Sequence, residues 1–399
     1  MVKRTIDHYK SFTLYTTLVG GNRLYLTASV INEQANPIST CAEIYRRIAD
    51  SLTQTNMQIV QERLFGSIEV QPEVLKAREE VLRERRIAED LAMTYIEGQP
   101  YWGKGFAGVQ IRAVQPDDKV WTIYDNQRPC GRGWNWKGAT FLMLQNLHGF
   151  QPKPGVDNSR QEQAARMFDR AERLLRSQGA SYRQVVRTWI YLSQILDWYT
   201  EFNQVRNTKY QQFGLLPNPS DEQVAEQIYL PASTGIRGDN PYGAASVMDV
   251  LAVVPHSDQA IKVVHTVGVK QRSPFRYRSA FSRAVCLREP DSSHILVSGT
   301  ASIDEQGKSL FLGDTRAQIL KTIEVVEALI AQENASLKDI CDATVFLKKP
   351  EDISIYREVA SECGLDKMPA VCLIADVCRE ELLFELDAEV VVMDSRQNY

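Results

Sequence analysis

A single glutamate near the C-terminal end of the chain has the surroundings of a proton donor. The segment Met368–Met393 reads MPAVCLIADVCREELLFELDAEVVVM and holds Glu385 between Phe384 and Leu386. In a cleft, large apolar neighbours disfavour the charged form of a carboxyl group, and proteins prepare general acids in this way. The alternative, which the periodicity by itself favours, is a solvated sheet face with ordinary acids.

Alternation of residue types predicts that this glutamate lies on a strand with one acidic and one apolar face. The acidic face presents Leu383, Glu385, Asp387 and Glu389, and the apolar face presents Leu382, Phe384, Leu386, Ala388 and Val390. Because the apolar face must pack, we expect the acidic face to meet water, a subunit interface or a ligand.

Arginines supply candidate anion-binding groups. A cluster at Arg272, Arg276, Arg278 and Arg283 lies upstream of the strand. A local basic cluster in an acidic protein fits a small anionic ligand, although a solvated loop explains it equally well. Three further candidates are Arg187 and Arg206, on predicted helices or strands, and Arg237, which lies in a predicted loop that would present its side chain to a cleft.

The composition is that of a globular chain with room for two or three domains. Of its 399 residues, 44% are hydrophobic and 24% are charged. The formal net charge of -4 gives no electrostatic reason for nucleic-acid binding. No apolar run approaches the ~20 residues that span a bilayer, and the start MVKRTIDHYK lacks the apolar core of a signal peptide. We therefore expect a soluble, cytosolic protein without a membrane partner.

Cysteines and histidines show no metal-binding or disulfide pattern. The seven cysteines are scattered and the five histidines are unclustered, which predicts reduced thiols and no metal site. The sequence also lacks a phosphate loop and a dinucleotide fingerprint, so no cofactor is expected.

Three blocks recur along the chain, which indicates an internal repeat. The clearest pair is Gln178–Tyr199 and Glu333–Tyr356. Aligning their Ala-Ser dipeptides places Val185 on Ile340, and a weaker N-terminal copy places Val60 at the same position. Each copy follows a predicted amphipathic helix with apolar residues at spacings of three and four. These stripes are Ile44, Ile48 and Leu52, then Phe168, Ala171 and Leu175, then Ile319, Ile323, Val326 and Ile330.

The repeating unit is predicted as β-β-α-β-α-β-β, and the fold class as α+β. Candidate boundaries divide the chain into a degenerate module at 1–115, a second module at 116–255 and a C-terminal module at 256–399. The charged stretch Pro72–Leu91 is predicted as the second helix of the first unit. The tryptophan-rich stretch Cys130–Lys137, CGRGWNWK, is interpreted as a turn with partly buried rings, because it has two glycines and no basic stripe.

The block order, together with phrases such as LVSGTASID, NASLKDICDATVFL and FELDAEVVV, resembles the RidA/YjgF superfamily. Its members form trimers of a chorismate-mutase-like α+β fold with ligand clefts between subunits. The resemblance is strong over about residues 275 to 395, moderate over 116 to 255 and weak before that. Three tandem modules in one chain imply an intramolecular pseudo-trimer, either monomeric or assembled into a homo-oligomer.

Within the superfamily the longer phrases are most similar to the chorismatases, fused enzymes that hydrolyse chorismate. The matching stretches are RTWIYL at Arg187–Leu192, WYTEFNQVRN at Trp198–Asn207, LPASTGIRG at Leu230–Gly238, SPFRYRSAFSRA at Ser273–Ala284, VSGTASI at Val297–Ile303 and CREELLFE at Cys378–Glu385.

The resemblance implies roles for four residues. Glu385 matches the glutamate that protonates the enolpyruvyl methylene, and Arg283 matches a carboxylate-binding arginine. Tyr277 matches a tyrosine that chorismatases separate from that arginine by a longer loop. Cys378 matches a cysteine that, in one subgroup, accompanies formation of a hydroxybenzoate instead of a dihydroxycyclohexadiene carboxylate. Since Cys378 has no neighbouring histidine in the sequence, packing or product steering is favoured over a nucleophilic role.

Imine and enamine deaminases of the same superfamily hold the substrate carboxylate with an arginine two residues after a proline like Pro369. Here that position is Val371. Without the paired donors of a guanidinium, a carboxylate has no bidentate partner there, which disfavours imine hydrolysis in the cleft of the third module.

The leading hypothesis is a chorismatase-like enzyme without metal or organic cofactor, with its site between the second and third modules. It would use Glu385 as the acid and Arg283 as the anchor of a small anionic carboxylate. Two alternatives stay open. One is a non-catalytic metabolite-binding or scaffold protein, which the short loop before Arg283 and the weak first module favour. The other is imine hydrolysis in another cleft.

Overall fold

A computed structural model describes residues 1–88, 90–102, 104–216, 230–257, 260–266 and 280–393. Six α-helices and nineteen strands lie within these ranges, and the strands form three sheets. The fold is α+β, as predicted, and it consists of tandem modules that form a pseudo-trimer within one chain. None of the helices in these ranges is both long and apolar enough to cross a membrane.

The first sheet has the order β1-β2-β3-β7-β4-β5 and lies against helices α1 and α2. Its strands are β1 (Val2–His8), β2 (Phe12–Val19), β3 (Arg23–Val30), β4 (Gln58–Gly66), β5 (Thr94–Glu97) and β7 (Phe106–Val114), and the helices are α1 (Pro37–Thr55) and α2 (Gln71–Glu84).

The second sheet has the order β12-β11-β13-β10-β9-β8 and is covered by helices α3 and α4. Its strands are β8 (Val120–Asp125), β9 (Arg128–Trp136), β10 (Ala139–Leu147), β11 (Val185–Leu192), β12 (Ala232–Arg237) and β13 (Ser246–Pro255), and the helices are α3 (Arg160–Ser177) and α4 (Ile195–Gln212).

The third sheet has the order β14-β15-β16-β19-β17-β18-β6 and is covered by helices α5 and α6. Its strands are β14 (Lys262–Thr266), β15 (Ala284–Arg288), β16 (Ser292–Ala301), β17 (Ile340–Leu347), β18 (Ala370–Ile374) and β19 (Phe384–Met393), and the helices are α5 (Thr315–Ala331) and α6 (Ile353–Glu362). Its last member, β6 (Gln99–Pro100), comes from the first third of the chain.

Each module begins with one more strand than predicted, so the unit is β-β-β-α-β-α-β-β. In the second module the extra strand is β9, and it contains the stretch that was predicted as a turn. The glycines of this strand allow close packing rather than a turn: a Cβ on Gly131 would lie 2.3 Å from the Met143 carbonyl oxygen, and one on Gly133 would lie 2.2 Å from the Trp121 ring. Trp134 and Trp136 are both buried.

The predicted alignment of the first module was wrong by one residue. In all three modules the strand after the first helix skips one residue in its antiparallel pairing. By this pairing Ile59, not Val60, takes the place of Val185 and Ile340. A one-residue bulge does not change the apolar pattern in a recognisable way, so it could not be detected from the sequence.

The two faces of β19 meet different surroundings. Its apolar face, which includes Phe384 and Leu386, packs against α5 in the core of the third module, as predicted. Its acidic face points to the centre of the molecule, where the inner faces of the three sheets meet. The sequence predicted that this face meets water, a subunit interface or a ligand. The structure shows that it lies at an interface between modules of the same chain.

Buried ion pairs join the modules across this centre. Arg63 of β4 lies 2.8 Å from Asp342 of β17, and Arg187 of β11 lies 3.1 Å from Asp387 of β19. Arg112 of β7 contacts Glu389 in the same way. Each pair links two different sheets, so the inner face of one module is neutralised by its neighbour.

A short segment after β5 also crosses between modules. Strand β6 pairs with β18 of the third sheet. The rings of Tyr101 and Tyr356 lie 6.0 Å apart, and the Arg357 guanidinium lies 3.5 Å from the Trp102 ring centre. Apart from this crossing, the three sheets lie at 2–114, 120–255 and 262–393, and we propose 1–115, 116–255 and 256–399 as the modules.

Replacing Arg63 by methionine should cost about 3 to 5 kcal/mol of unfolding free energy, because the carboxylate of Asp342 would stay buried without its cation. Urea unfolding of purified protein measures this. The matched control is Arg85→Met, which removes an exposed pair with Asp50 and should cost about 1 kcal/mol or less. Equal losses in the two variants would contradict a structural role for the central pairs.

Candidate active site between the second and third modules

A cleft opens where the second and third modules meet. It encloses about 510 Å³ of space, part of which is open to solvent. The second module contributes Tyr199, Arg206, Ser233 and Gly235, and the third contributes Phe281, Arg283, Gly299, Ala301, Ile303, Cys378, Arg379 and Glu385. The structure thus brings together Glu385, Cys378, Arg283 and Arg206 from the predicted set.

Glu385 is held in the wall of the cleft by strands on both sides. It pairs with Ala301 of β16 and Phe346 of β17, and its side chain is only 4% exposed. In the described part of the chain, no group donates a hydrogen bond to its carboxyl group. Burial, and secondarily the charge of Asp387, raises the pKa of Glu385 to about 8, although Arg187 and Arg283 act in the opposite direction. The carboxyl group is therefore largely protonated at neutral pH.

A bulge in β16 makes room for this carboxyl group. The pairing of β16 with β19 skips Ser298 and Gly299, and a Cβ on Gly299 would lie 2.2 Å from the Glu385 Oε1. Only glycine leaves this space empty. Bulges of this kind often occur beside active sites, where they redirect a strand.

The Thr234 hydroxyl fixes the two modules to each other behind the cleft. It donates to Asp387 Oδ2 at 2.7 Å and accepts from Arg187 at 2.6 Å and from the backbone N–H of Gly299 at 3.1 Å. One hydroxyl thus uses its single donor and two acceptor positions. As a result, the bulge that faces Glu385 is tied directly to β12.

Two arginines stand on either side of one phenyl ring at the cleft. The guanidinium carbon of Arg206 lies 5.7 Å from the centre of the Phe281 ring, and that of Arg283 lies 5.5 Å from it. Arg206 projects from α4, Arg283 lies just before β15, and both are at most 2% exposed. They form a cationic wall built from two modules.

The other predicted residues lie elsewhere. Arg187 is buried behind the cleft against Asp387, and burial lowers its pKa to about 10, so it remains a cation at neutral pH. Arg237 ends β12 instead of lying in a loop, and it pairs with Asp239 at 3.3 Å outside the cleft lining. Tyr277 lies outside the described residues, as do Arg272, Arg276 and Arg278.

Cys378 and Arg379 lie on the segment between β18 and β19. The Cys378 thiol is half-buried, and burial together with Glu385 raises its pKa to about 12, so the thiol stays protonated. Arg379 donates to the Gly307 carbonyl oxygen at 2.7 Å. Tyr199, on α4 just after a kink at Trp198, completes the opposite wall, and burial raises the pKa of its hydroxyl.

Sequence reasoning missed Arg379, Tyr199, Phe281 and Gly299 as site residues. Arg379 stands next to Cys378 in the sequence, which was an available signal. Gly299, Tyr199 and Phe281 lay within phrases used for the resemblance, which was also an available signal. The contact of Gly299 with Glu385 depends on a bulge, and nothing in the local pattern of Tyr199 and Phe281 distinguishes them from core residues.

The other two module interfaces lack the acid. By strand register, the place of Glu385 is taken by Val247 in β13 and by Gly108 in β7. A Cβ on Gly108 would lie 2.1 Å from the Ala28 carbonyl oxygen, so backbone fills this place in the first module. The residues that correspond to Val371 are Thr94 and Thr234, so none of the three modules has an arginine there. Among the described residues, no group of three or more histidine, cysteine or acidic side chains is arranged to hold a metal ion.

Comparison with known proteins agrees with this architecture. A family model described as Endoribonuclease L-PSP matches residues 273–392. A RutC family protein of Pyrococcus abyssi is 32% identical over 95 residues, which are 24% of this chain and 75% of that protein. The chain belongs to the RidA/YjgF superfamily.

Within this superfamily the chain lies in the chorismatase-like branch. A chorismatase of Streptomyces hygroscopicus is 25% identical over 307 residues, which are 70% of this chain and 82% of the relative. A chorismatase of Streptomyces rapamycinicus is 27% identical over 235 residues, or 52% of this chain, and the chain spans only 64% of that relative's length.

The fold of this RidA-superfamily protein is also that of a solved chorismatase. A chorismatase crystal structure superposes with a TM-score of 0.58 at 17% sequence identity, covering 84% of this chain and 93% of the other. The match extends over all three modules, which agrees with a pseudo-trimer in one polypeptide.

Replacing Glu385 by glutamine should stabilise the protein at alkaline pH. The pKa of Glu385 in the folded protein, about 8, lies above the ordinary value of 4.5. The residue therefore does not lower the free energy of unfolding below pH 4.5, and it lowers it progressively as the pH rises from 4.5 to about 8. Glutamine is neutral throughout. Urea unfolding should give similar unfolding free energies for the wild type and the variant at pH 4.5, the ordinary pKa. At about pH 9 the variant should be more stable than the wild type by a few kcal/mol. Equal stabilities at both pH values would show that the carboxylate is solvated.

Proposed function

We propose that this protein is a hydrolase or lyase of chorismate or a related enolpyruvyl or cyclohexadiene carboxylate. It would release pyruvate together with a dihydroxycyclohexadiene carboxylate or a hydroxybenzoate. The observation that carries the proposal is a buried glutamate, whose pKa burial raises to about 8, in a cleft that three arginines line. A dianionic enol ether needs this combination, with cations for its carboxylates and one neutral acid for its double bond.

The reaction would begin with transfer of the Glu385 proton to the methylene carbon of the enol ether. This step leaves a carboxylate on Glu385 and an oxocarbenium ion on the substrate. Water then adds to the oxocarbenium carbon and returns a proton to the Glu385 carboxylate, and the hemiketal collapses to pyruvate and the dihydroxycyclohexadiene carboxylate. Loss of water from this ring would give the hydroxybenzoate. A general acid of this type contributes roughly 100- to 10,000-fold to the rate. Arg187 and Arg283 favour the ionised form of Glu385, so they stabilise the carboxylate as it forms.

The arginines would hold the two carboxylates of the substrate. Arg206 and Arg283 both lie close to Phe281, and Arg379 follows Cys378 in the cleft lining. A planar guanidinium binds a carboxylate through two parallel hydrogen bonds. We assign Arg283 to one carboxylate and Arg379 to the other, which would fix the enol ether beside Glu385.

Cys378 would shape the product rather than react. Its thiol has a raised pKa, and a protonated thiol is a poor nucleophile. Since Cys378 lines the cleft, it would contact the substrate ring, where its size would affect how water reaches the intermediate. Imine hydrolysis gains no support, because Thr94, Thr234 and Val371 occupy the places where deaminases carry their arginine.

Glu385→Gln should lower pyruvate release from chorismate by roughly 100- to 10,000-fold, because an amide cannot deliver the proton. A coupled assay for pyruvate measures this on purified protein. The control is Glu381→Gln, a change of the same type on the same segment at an exposed residue that bonds to Ser309, and it should leave turnover unchanged. Undiminished turnover in Glu385→Gln would overturn the acid role. A wild-type protein that is stabilised by chorismate without consuming it would be a binding protein instead.

Arg283→Lys should raise KM for chorismate about 10- to 100-fold while changing kcat less, because lysine cannot reproduce the paired hydrogen bonds to a carboxylate. Steady-state kinetics separates the two constants. Arg237→Lys provides the matched control, since Arg237 is engaged with Asp239 outside the cleft, and its KM should stay within about twofold of the wild type. Equal effects of the two substitutions would contradict the assignment of Arg283.

A further inference from the structure

A second cationic surface lies on the outer side of the second module, on residues that the proposed reaction does not use. It is a wide groove of about 1210 Å³, open to solvent, between α3, the β8–β9 turn and the segment after β10. We call it the arginine groove. Its lining consists of Asp125, Asn126, Arg128, His148, Gly149, Phe150, Gln151, Arg166, Asp169, Arg170 and Arg173.

The groove is basic although the chain as a whole is acidic. Four arginines face two aspartates, and one of these, Asp169, is already neutralised by Lys209 at 2.7 Å. Asp125 is shared between Arg170 at 2.7 Å and Arg173 at 2.9 Å. The remaining positive charge is therefore not compensated by carboxylates within the groove.

The uncompensated positive charge is distributed along the groove and is not concentrated around one point. Arg166 spends its donors on the carbonyl oxygens of Gly149 and Asp157, both at 2.8 Å. Arg128 is exposed and makes no ion pair in the described residues, and the Arg173 side chain is 59% exposed. The two guanidiniums that are most available thus stand on the two sides of the groove.

The histidine in the groove lining is uncharged. His148 stacks on Tyr242 with ring centres 4.7 Å apart. Burial, together with Arg170 and Arg128, lowers the pKa of His148 to about 4. The imidazole is therefore neutral at physiological pH, and the positive charge of the groove comes from its arginines.

We infer that the arginine groove binds an acidic segment of a partner protein. A small phosphate ligand would need several uncompensated donors around one point and an enclosed pocket, whereas this groove is open and its charge is distributed. Carboxylates spaced along a peptide would pair with Arg128 and Arg173, the two exposed guanidiniums. Arg166 and Arg170, which lie with Arg173 along roughly 10 Å of one face of α3, add to the positive potential that attracts such a peptide.

Fluorescence anisotropy with a labelled glutamate-rich decapeptide tests this on the full-length protein. We expect binding that weakens as salt rises from about 20 to about 500 mM. Arg128→Ser combined with Arg173→Ser should weaken it about tenfold. The control pair, Arg176→Ser with Arg183→Ser, removes the same charge from exposed positions of the same module outside the groove and should change affinity less than about twofold.

Three outcomes would overturn the inference. Equal weakening in both double variants would mean non-specific charge attraction. Tighter binding of pyrophosphate, or of single-stranded RNA of equal charge, than of the peptide would assign the groove to another ligand class. No peptide binding at low salt would leave it a solvated surface. Circular dichroism and thermal unfolding of each variant confirm that the fold is intact.

Discussion

The structure depends on the pairing of buried charges across its centre. The inner faces of the three sheets carry arginines and carboxylates that water does not reach, and several of these charges pair with a residue on another sheet. Arg63 with Asp342, Arg187 with Asp387 and Arg112 with Glu389 join the modules in this way. Such pairs add little net stability compared with an apolar core, but the loss of one partner is costly. They therefore specify which module faces which.

The presence or absence of a partner on another module also explains the protonation state of Glu385. Three acids alternate along the inner face of β19. Asp387 and Glu389 meet arginines of other modules, whereas Glu385 faces the cleft and receives no hydrogen bond in the described residues. A carboxyl group in that situation keeps its proton. The same strand thus carries two carboxylates that pair with arginines and one carboxyl group that can donate a proton. These roles differ because, within the described residues, arginines of the other modules form ion pairs with Asp387 and Glu389 but not with Glu385.

Fusion into one chain lets the three interfaces differ. Thr94 donates to Asp249 at 2.5 Å between the first and second modules, as Thr234 does to Asp387 between the second and third. At the remaining interface Val371 replaces threonine, and Gln110, in the place of these aspartates, donates to the Ala343 carbonyl oxygen at 2.7 Å. By strand register within the described residues, the acid belongs to the interface where the opposing module supplies Tyr199 and Arg206.

The elements with strong periodicity could be predicted from the sequence. The helical stripes of α1, α3 and α5, the two faces of β19 and the repeat itself all follow from side-chain spacing. One strand of each module was missed. The edge strands β1 and β14 have little apolar alternation, and the glycines of β9 imitate a turn.

Contacts between distant segments were not predictable from local pattern. Arg206 and Arg283 meet around Phe281 only because two modules dock, and the space for the Glu385 carboxyl group depends on the bulge at Gly299. The assignment of Glu385 and Arg283 rested on resemblance, and the structure places both in one cleft. Arg187 was chosen by residue type and lies behind the cleft. Arg237 was chosen for a predicted loop, but it ends a strand and lies outside the cleft lining.

The most direct test of the account is the protonation state of Glu385 itself. Carbon-13 NMR of protein labelled at the glutamate carboxyl carbon, compared with the Glu385→Gln variant, isolates the signal of this residue. If Glu385 is the proton donor, its signal should titrate with a midpoint near 8 and should be absent from the variant. A midpoint near the ordinary value of 4.5 would mean an ionised carboxylate at neutral pH, and the proposed proton donor would not exist.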